Sequence, residues 1–237
     1  MALLKMARLT HRVLSVDVGE RNLGMAIWDV AKTPDGPSIK LSYLACHDVL
    51  QAVGCTAKCR SVTKVDSVRH MCTFLSRNQA QWAPETITDF VVEGQVRASP
   101  KNQCLTAALF AWFSLVSGGR PQQPRMASIC AKNKVKSEGE QQSPLPPKSS
   151  TIDKNGGKGK SKAAKKGAEY RQRKKGAVTC LADLIASGAV TVEGLPRNGP
   201  DVLAQWRGAK KKDDMADAAL QGLWYIENKL KVKRSRR

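Results

Sequence analysis

Carboxylates stand inside apolar segments at three separate places in the chain, where an ionisable side chain is unusual. Asp17 interrupts the β-branched segment 13–18, and Glu93 lies near the end of the apolar segment DFVVEGQ. Asp214 and Asp217 are three residues apart, so they share one face if their segment is helical. Burying a charge is costly unless it is paired, so acids in apolar surroundings tend to mark function.

Each acid also has an ordinary structural explanation. Asp17 could hydrogen-bond its own turn, and acids at a helix N-terminus are favoured by the helix dipole. Glu93, followed by Gly and Gln in a strand, is harder to explain as a solvated side chain. Acids from two neighbouring strands and one helix would together supply the hard oxygen ligands that a pair of Mg²⁺ ions requires.

The segments that carry these acids predict a mixed sheet. Residues 12–30 form two apolar runs around the turn GERN, which is typical of a β-hairpin, and 39–49 alternates as a third antiparallel strand. The segment 87–95 follows a predicted helix at 61–76, and a helical crossover favours a strand parallel to the first. With a short strand at 125–131, the sequence predicts an α/β fold with a mixed five-stranded sheet flanked by helices.

Apolar periodicity predicts further helices. The segment 102–116 is apolar on more than one face, so it either fills the core or forms a partner surface. Helices are also expected at 177–187 and 213–231, with a short helical turn at 201–206. The helix at 213–231 is apolar nearly all round and should be buried, which draws its acidic first turn inward.

The balance of charge favours nucleic acid as the partner. Forty Lys and Arg against twenty Asp and Glu give a net charge of +20, which repels itself unless a polyanion is near. An acidic membrane surface is the alternative, but no apolar stretch reaches the length of about 18 residues that a span needs, and we expect a soluble protein. Basic, Gly- and Ser-rich sequence predicts a disordered insertion at 132–168 and a basic tail at 231–237, within a single domain over 1–237.

Cysteine usage indicates a reducing compartment. The seven cysteines are odd in number and scattered, unlike a secreted disulfide framework. The Cys and His residues between positions 46 and 72 suggest zinc, although their spacing matches no standard pattern. The N-terminal segment is basic and free of acids, as in a mitochondrial presequence, but it is short for one.

The acidic motifs, taken in order, resemble a known family. The segments VDVGERNLGMAIWDV, VVEGQVR and KKDDMADAAL are similar to the RuvC-like Holliday junction resolvases of the RNase H-like superfamily, and closest to the poxvirus-type and fungal mitochondrial branches. The resemblance covers roughly 12–131 and 168–230. Its D-x-G motif is shared with actin-like and sugar-kinase ATPases. The strand glutamate combined with D-x-x-D at the start of a C-terminal helix is far more specific.

The resemblance implies a role for individual residues. Asp17, Glu93, Asp214 and Asp217 look like the four metal-binding acids, with Asp213 beside the helical pair. Either Lys174 or Lys175 would lie near the scissile phosphate. The side chains expected to contact DNA are Gln95, Arg97, Arg171, Arg173, Lys174, Lys175, Lys210 and Lys211.

The implied activity is resolution of four-way DNA junctions. In this scheme two Mg²⁺ ions, for which Mn²⁺ would substitute, activate a water and stabilise the leaving 3′ oxygen. Paired symmetric nicks imply a homodimer, with the helix at 102–116 as the candidate interface. The alternatives are a nuclease acting on RNA/DNA hybrids or structured RNA, and a non-catalytic basic DNA-binding protein. The resemblance suggests a large DNA virus, hence host cytoplasm or nucleus, with a fungal mitochondrion as the alternative.

Overall fold

The structure is a computed structural model, and it describes residues 8–94, 100–119, 123–130, 162–192 and 201–233. Its strands are β1 (Arg8–Asp17), β2 (Leu23–Thr33), β3 (Gly36–His47), β4 (Asp89–Gly94), β5 (Arg125–Cys130) and β6 (Thr191–Val192). Its helices are α1 (Val49–Ala52), α2 (Lys64–Trp82), α3 (Pro100–Ser117), α4 (Lys162–Ala186), α5 (Val202–Gly208) and α6 (Lys212–Asn228).

Within the described residues the strands form one mixed sheet in the order β5-β4-β1-β2-β3-β6. Strands β1, β2 and β3 form the predicted antiparallel meander, and β4 pairs parallel to β1 and to β5. The predicted α/β class is therefore confirmed. The predicted number of five strands is wrong, because the sheet has a sixth, β6, of only two residues, which pairs parallel to β3.

Helices cover both faces of the sheet. On one face, α2 and α3 pack on apolar side chains of β1, β2 and β4. On the other face lie α4, α5 and α6, with α6 at the centre. Among the helices of the described residues, none is long and apolar enough to cross a membrane.

Helix α6 is held against the sheet by polar contacts as well as by apolar packing. The hydroxyl of Ser15 on β1 donates to the carbonyl of Ala218 at 2.5 Å, and the indole N–H of Trp28 on β2 donates to the carbonyl of Ala219 at 3.1 Å. All four residues are buried, so these hydrogen bonds fix the helix along and across the strands.

Helix α4 begins much earlier than the sequence predicts. The sequence predicts a start at position 177, but the helix begins at Lys162, inside the segment that composition assigns to the basic insertion. The residues involved are mostly Ala, Lys, Arg, Gln and Glu, which are strong helix formers without an apolar period. The rest of the predicted insertion, at 132–161, lies outside the described residues.

Candidate metal and nucleic-acid site

Two of the candidate acids stand at neighbouring strand ends. The last paired residues of parallel strands β1 and β4 are Val16 and Val92, and Asp17 and Glu93 follow them directly. Side chains alternate along a strand, so Asp17 lies on the same face as Ser15, which contacts α6. The strands therefore direct both carboxylates to the face that α6 covers.

The start of α6 lies over the same end of the sheet. Asp17 pairs with Gly24 on β2, and Gly24 pairs with Cys46 on β3, so these three residues form one row across the strands. A Cβ atom on Gly24 would come within 2.3 Å of the backbone oxygen of Asp214. Only a glycine lets the first turn of α6 approach this row so closely.

The thiol of Cys46 is influenced by the strand acid and by the helix acids. Its pKa is raised to about 12, first because the group is buried and then by the negative charges of Asp214, Asp17 and Asp213. The strand acid and the helix acids thus act on one side chain. The same shift keeps the thiol protonated at neutral pH, so Cys46 is not a thiolate.

The helix acids converge on the ammonium of Lys174 from α4. Its Nζ lies 2.8 Å from Asp213 Oδ2, 2.5 Å from Asp214 Oδ1 and 3.8 Å from Asp217 Oδ2. The lysine side chain is only 16% exposed. The ammonium of Lys174 is therefore the positive charge that these three carboxylates surround.

Charge pairing fixes the protonation of this cluster. Burial alone would lower the pKa of Lys174, but its hydrogen bonds to Asp213 and Asp214 outweigh burial and raise the pKa. Burial would likewise raise the pKa of Asp213, and the contact with Lys174 lowers it instead. Both groups are charged at neutral pH. The second oxygen of Asp214, Oδ2, is buried and has no hydrogen-bond partner within the described residues.

The structure distinguishes the two candidate lysines. Consecutive residues on a helix point about 100° apart. Lys174 faces the acids, whereas Lys175 is exposed to solvent. Four further predicted DNA contacts are exposed, two in the middle of α4 and two just before the start of α6, and two lie outside the described residues. The exposed residues are Arg171, Arg173, Lys210 and Lys211, and the two outside are Gln95 and Arg97.

An exposed aromatic residue beside Lys174 was missed from the sequence. Tyr170 is 52% exposed, and its ring centre lies 5.6 Å from Lys174 Nζ and 5.5 Å from the guanidinium carbon of Arg173. The signal was present in the segment EYRQRKK, where the tyrosine precedes Lys174 by one helical turn. Its exposed face lies at the edge of the acidic cluster.

The possibility of zinc binding, which the Cys and His residues between positions 46 and 72 raise, finds no support in the described part of the chain. There, no three His, Cys, Asp or Glu side chains come together as ligands of one metal ion. This holds for the Cys and His residues between positions 46 and 72, and equally for Asp17, Glu93, Asp214 and Asp217 in the arrangement that the structure describes. His47 instead makes a 2.7 Å hydrogen bond with the hydroxyl of Tyr43, and burial lowers its pKa to about 4. Cys59 donates its thiol hydrogen to Glu20 at 3.1 Å.

The fold is similar to that of solved structures, although the sequence matches no family model and no curated protein. The structure of the yeast mitochondrial Holliday junction resolvase Ydc2 superposes with a TM-score of 0.55 at 14% identity, over 94% of this chain and 82% of that chain. This likeness shows a shared fold. Fowlpox virus resolvase, solved with a substrate Holliday junction, gives a TM-score of 0.48 at 17% identity, over 92% of this chain and 99% of that chain.

Proposed function

We propose that this protein is a metal-dependent endonuclease that resolves four-way DNA junctions by paired symmetric nicks. The observation that carries the proposal is the convergence of Asp213, Asp214 and Asp217 on Lys174, above the strand end that bears Asp17. This cluster lies on a fold shared with a Holliday junction resolvase.

The chemistry of the donor set fits a divalent cation of the Mg²⁺ type. The candidate ligands are all carboxylates, the hard oxygen ligands that Mg²⁺ prefers. Asp214 Oδ2 is buried without a hydrogen-bond partner in the described residues, so it has a lone pair to offer. The residues that would hold the metal are Asp17, Glu93, Asp214 and Asp217. The metal would supply an activated water and stabilise charge on the leaving 3′ oxygen.

Lys174 acts as a fixed positive charge in this proposal. Its raised pKa keeps it protonated, so it cannot take a proton from the attacking water. A lysine ammonium has three N–H donors, and hydrogen bonds to Asp213 and Asp214 use two of them. Within the described residues no hydrogen bond uses the third donor, since Asp217 Oδ2 is 3.8 Å away. That donor would reach a phosphate oxygen, where it would offset the charge that develops during the reaction.

The exposed cations around the cluster would hold DNA by its backbone. Arg171, Arg173, Lys175, Lys210 and Lys211 are exposed and charged, which suits phosphate contacts. Such contacts carry no base code, so selectivity for a junction would come from the shape of the branched DNA. Binding should weaken steeply as salt concentration rises.

Paired nicks require a homodimer, and α3 offers the candidate surface. Its inner face fills the core with Leu105, Leu109 and Phe113. Its outer face carries Leu115 at 80% exposure, close to the exposed small residue Ala111. A twofold contact across this face would direct two active sites to one junction.

The test is a cleavage assay on matched substrates. A synthetic four-way junction, a linear duplex of the same sequence and an RNA/DNA hybrid are compared with Mg²⁺ and with chelator. We expect symmetric paired nicks in the junction that require the metal. Equal or better cutting of the hybrid would support the alternative nuclease activity and contradict junction resolution.

The matched control is Asp17→Asn. This change removes one charge without changing the size of the side chain. We expect the variant to bind the junction as the wild type does and to leave it uncut. A protein that only binds DNA would show no difference between the two forms.

On its cysteine composition we also propose that the protein works in a reducing intracellular compartment. This would be the host cytoplasm or nucleus if the source is a virus, with a mitochondrion as the alternative.

A further inference from the structure

The ammonium of Lys101, in the first turn of α3, is enclosed by three oxygen atoms. Its Nζ lies 2.7 Å from Glu20 Oε2, 2.8 Å from the carbonyl oxygen of Cys59 and 3.1 Å from that of Val62. A lysine ammonium has three N–H donors, so each of them has a partner. The Lys101 side chain is 21% exposed and that of Glu20 only 3%. Lys101 is therefore held in one position.

Glu20 also contacts segments of the chain other than the start of α3. Its Oε2 also accepts the thiol hydrogen of Cys59, and its backbone oxygen accepts from the N–H of Val49 at 3.0 Å. Burial would raise the pKa of Glu20, but the contacts with Lys101, Ser67 and Cys59 lower it, so the group is ionised.

The Glu20–Lys101 ion pair is not explained by a contribution to stability alone. Glu20 Oε1 is buried and accepts no hydrogen bond within the described residues, because the Ser67 hydroxyl, which is near enough to lower the pKa of Glu20, donates to the carbonyl of Thr63. Apolar side chains of similar volume commonly replace buried ion pairs without loss of stability. Stability alone therefore does not explain why this position holds an ion pair. The segments that the pair connects offer another explanation.

The pair connects the two chain segments that leave the strand acids. Glu20 lies in the turn directly after β1, three residues beyond Asp17. Lys101 lies at the start of α3, the first described element after β4, which ends one residue beyond Glu93. The pairing of β1 with β4 ends at Val16 and Val92, before either acid. Beyond that point each acid is still paired on its other side, Asp17 with Gly24 and Glu93 with Ile129. The Glu20–Lys101 contact adds a link between the turn after β1 and the start of α3.

We propose that Glu20 and Lys101 are positioning residues that set the separation of Asp17 and Glu93. The inference rests on the proposed function, in which both acids hold metal. Ligands of a metal site must be held to within about 0.5 Å of their working positions. Neither Glu20 nor Lys101 would touch the metal or the DNA. They would act by fixing where the two strand ends lie relative to each other.

The direct test is metal affinity in the absence of DNA. Binding of Mn²⁺ to the full chain is measured by electron paramagnetic resonance for the wild type, Lys101→Met and Glu20→Gln. Residues that support metal ligands typically change affinity by about 10- to 100-fold when altered. For both variants we expect the affinity for Mn²⁺ to fall by at least about tenfold. Glu20→Gln keeps the size of the side chain and removes only the charge.

The chain offers a matched control at the opposite end of the same strands. Arg125 Nη2 lies 2.7 Å from Oδ1 of Asp89, which is fully buried at the start of β4. Arg125→Met breaks this ion pair far from the acids. Asp89 keeps hydrogen bonds from Tyr225 and Thr88, and Arg125 is 55% exposed. We therefore expect Arg125→Met to lower the melting temperature less than Lys101→Met does, and to leave Mn²⁺ affinity at the wild-type value.

The outcomes separate this inference from the proposed function. If Lys101→Met and Glu20→Gln lose thermal stability but bind Mn²⁺ as the wild type does, the pair is only structural and the inference is overturned. If both variants fail to fold, the pair is likewise only structural and the inference is overturned. If the wild type itself binds no Mn²⁺, the proposed metal site is wrong. In single-turnover cleavage, we expect slower cutting with unchanged junction affinity.

Discussion

The backbone oxygen of Asp214 lies so close above Gly24 that a Cβ atom there would come within 2.3 Å of it. This contact decides how near the helix acids come to Asp17, because Gly24 pairs with Asp17 across β1 and β2. We expect Gly24→Ala to push the first turn of α6 outward. Overpacking of this kind costs about 1–3 kcal/mol, measurable by urea unfolding.

The functional effect of Gly24→Ala should be comparable in free energy to its effect on stability. A displacement of about 1 Å can slow an enzyme roughly 100-fold, so we expect a loss of that order in junction cleavage. Gly176→Ala is the control, since no heavy atom lies within 4 Å of the new methyl group. As a helical Gly-to-Ala change it should add about 0.5–1 kcal/mol of stability and leave cleavage unchanged. Normal cleavage by a folded Gly24→Ala variant would contradict the positioning of α6.

Lys174 and Lys175 should differ sharply when each is changed to Met. Loss of one group that stabilises developing charge typically costs about 100- to 1,000-fold in rate, and we expect Lys174→Met to show this in single-turnover cleavage. Lys175 is exposed, so Lys175→Met should weaken binding at all sequences and reduce the slope of log K against log salt by about 1. Equal kinetic losses in the two variants would show that the assignment to Lys174 is wrong.

Tyr170 should contribute to DNA binding through its exposed ring. Stacking of a base on an aromatic side chain is worth about 1–3 kcal/mol, so Tyr170→Leu should weaken junction binding by roughly tenfold. Tyr170→Phe keeps the ring and should bind as the wild type does. Fluorescence anisotropy of a labelled junction measures both. If Leu and Phe behave alike, no base stacks at this position.

The fold should become less stable as the pH is lowered, because His47 is buried as a neutral group. Its folded pKa of about 4 lies below the ordinary value of 6.5, so between these values the unfolded chain binds a proton that the folded chain does not. Stability should therefore decrease as the pH drops through this window, by at most about 1.4 kcal/mol per pH unit. Urea unfolding of His47→Gln at each pH provides the comparison. The difference between the two proteins should shrink toward pH 4 and not grow.

The outer face of α3 should control the oligomeric state. Leu115 is 80% exposed, and a charge placed there would be buried in a twofold contact. We expect Leu115→Glu to convert a dimer to a monomer in light scattering, with loss of paired nicking but not of folding. Ser114→Glu, on an exposed neighbour, tests whether the whole face is involved. A wild-type protein that is monomeric at all concentrations would contradict the proposed dimer.

The sequence predicted the framework of the site because its signals are local. The β1–β2 hairpin, the β4 strand and the acidic start of α6 each show the period of their element, and the structure has all three. Strand β6 was missed because two residues carry no period. The early start of α4 was missed because a basic composition was given more weight than helix propensity. Tertiary relationships were beyond reach: Lys174 is distinguished from Lys175 only by the rotation of α4 toward α6. From the sequence, Glu20 is explained as a turn residue, and only the tertiary structure shows its contact with Lys101.

The hydrogen bond from Ser15 to Ala218 spans 203 residues of chain, and that from Trp28 to Ala219 spans 191. During synthesis, β1 and β2 leave the ribosome long before α6 exists, so the sheet face that α6 covers stays open to water for most of translation. Contacts between such distant segments also form slowly. The acidic cluster therefore cannot assemble on a nascent chain that stops before α6. Incomplete chains should have no nuclease activity and should expose an apolar face that invites aggregation.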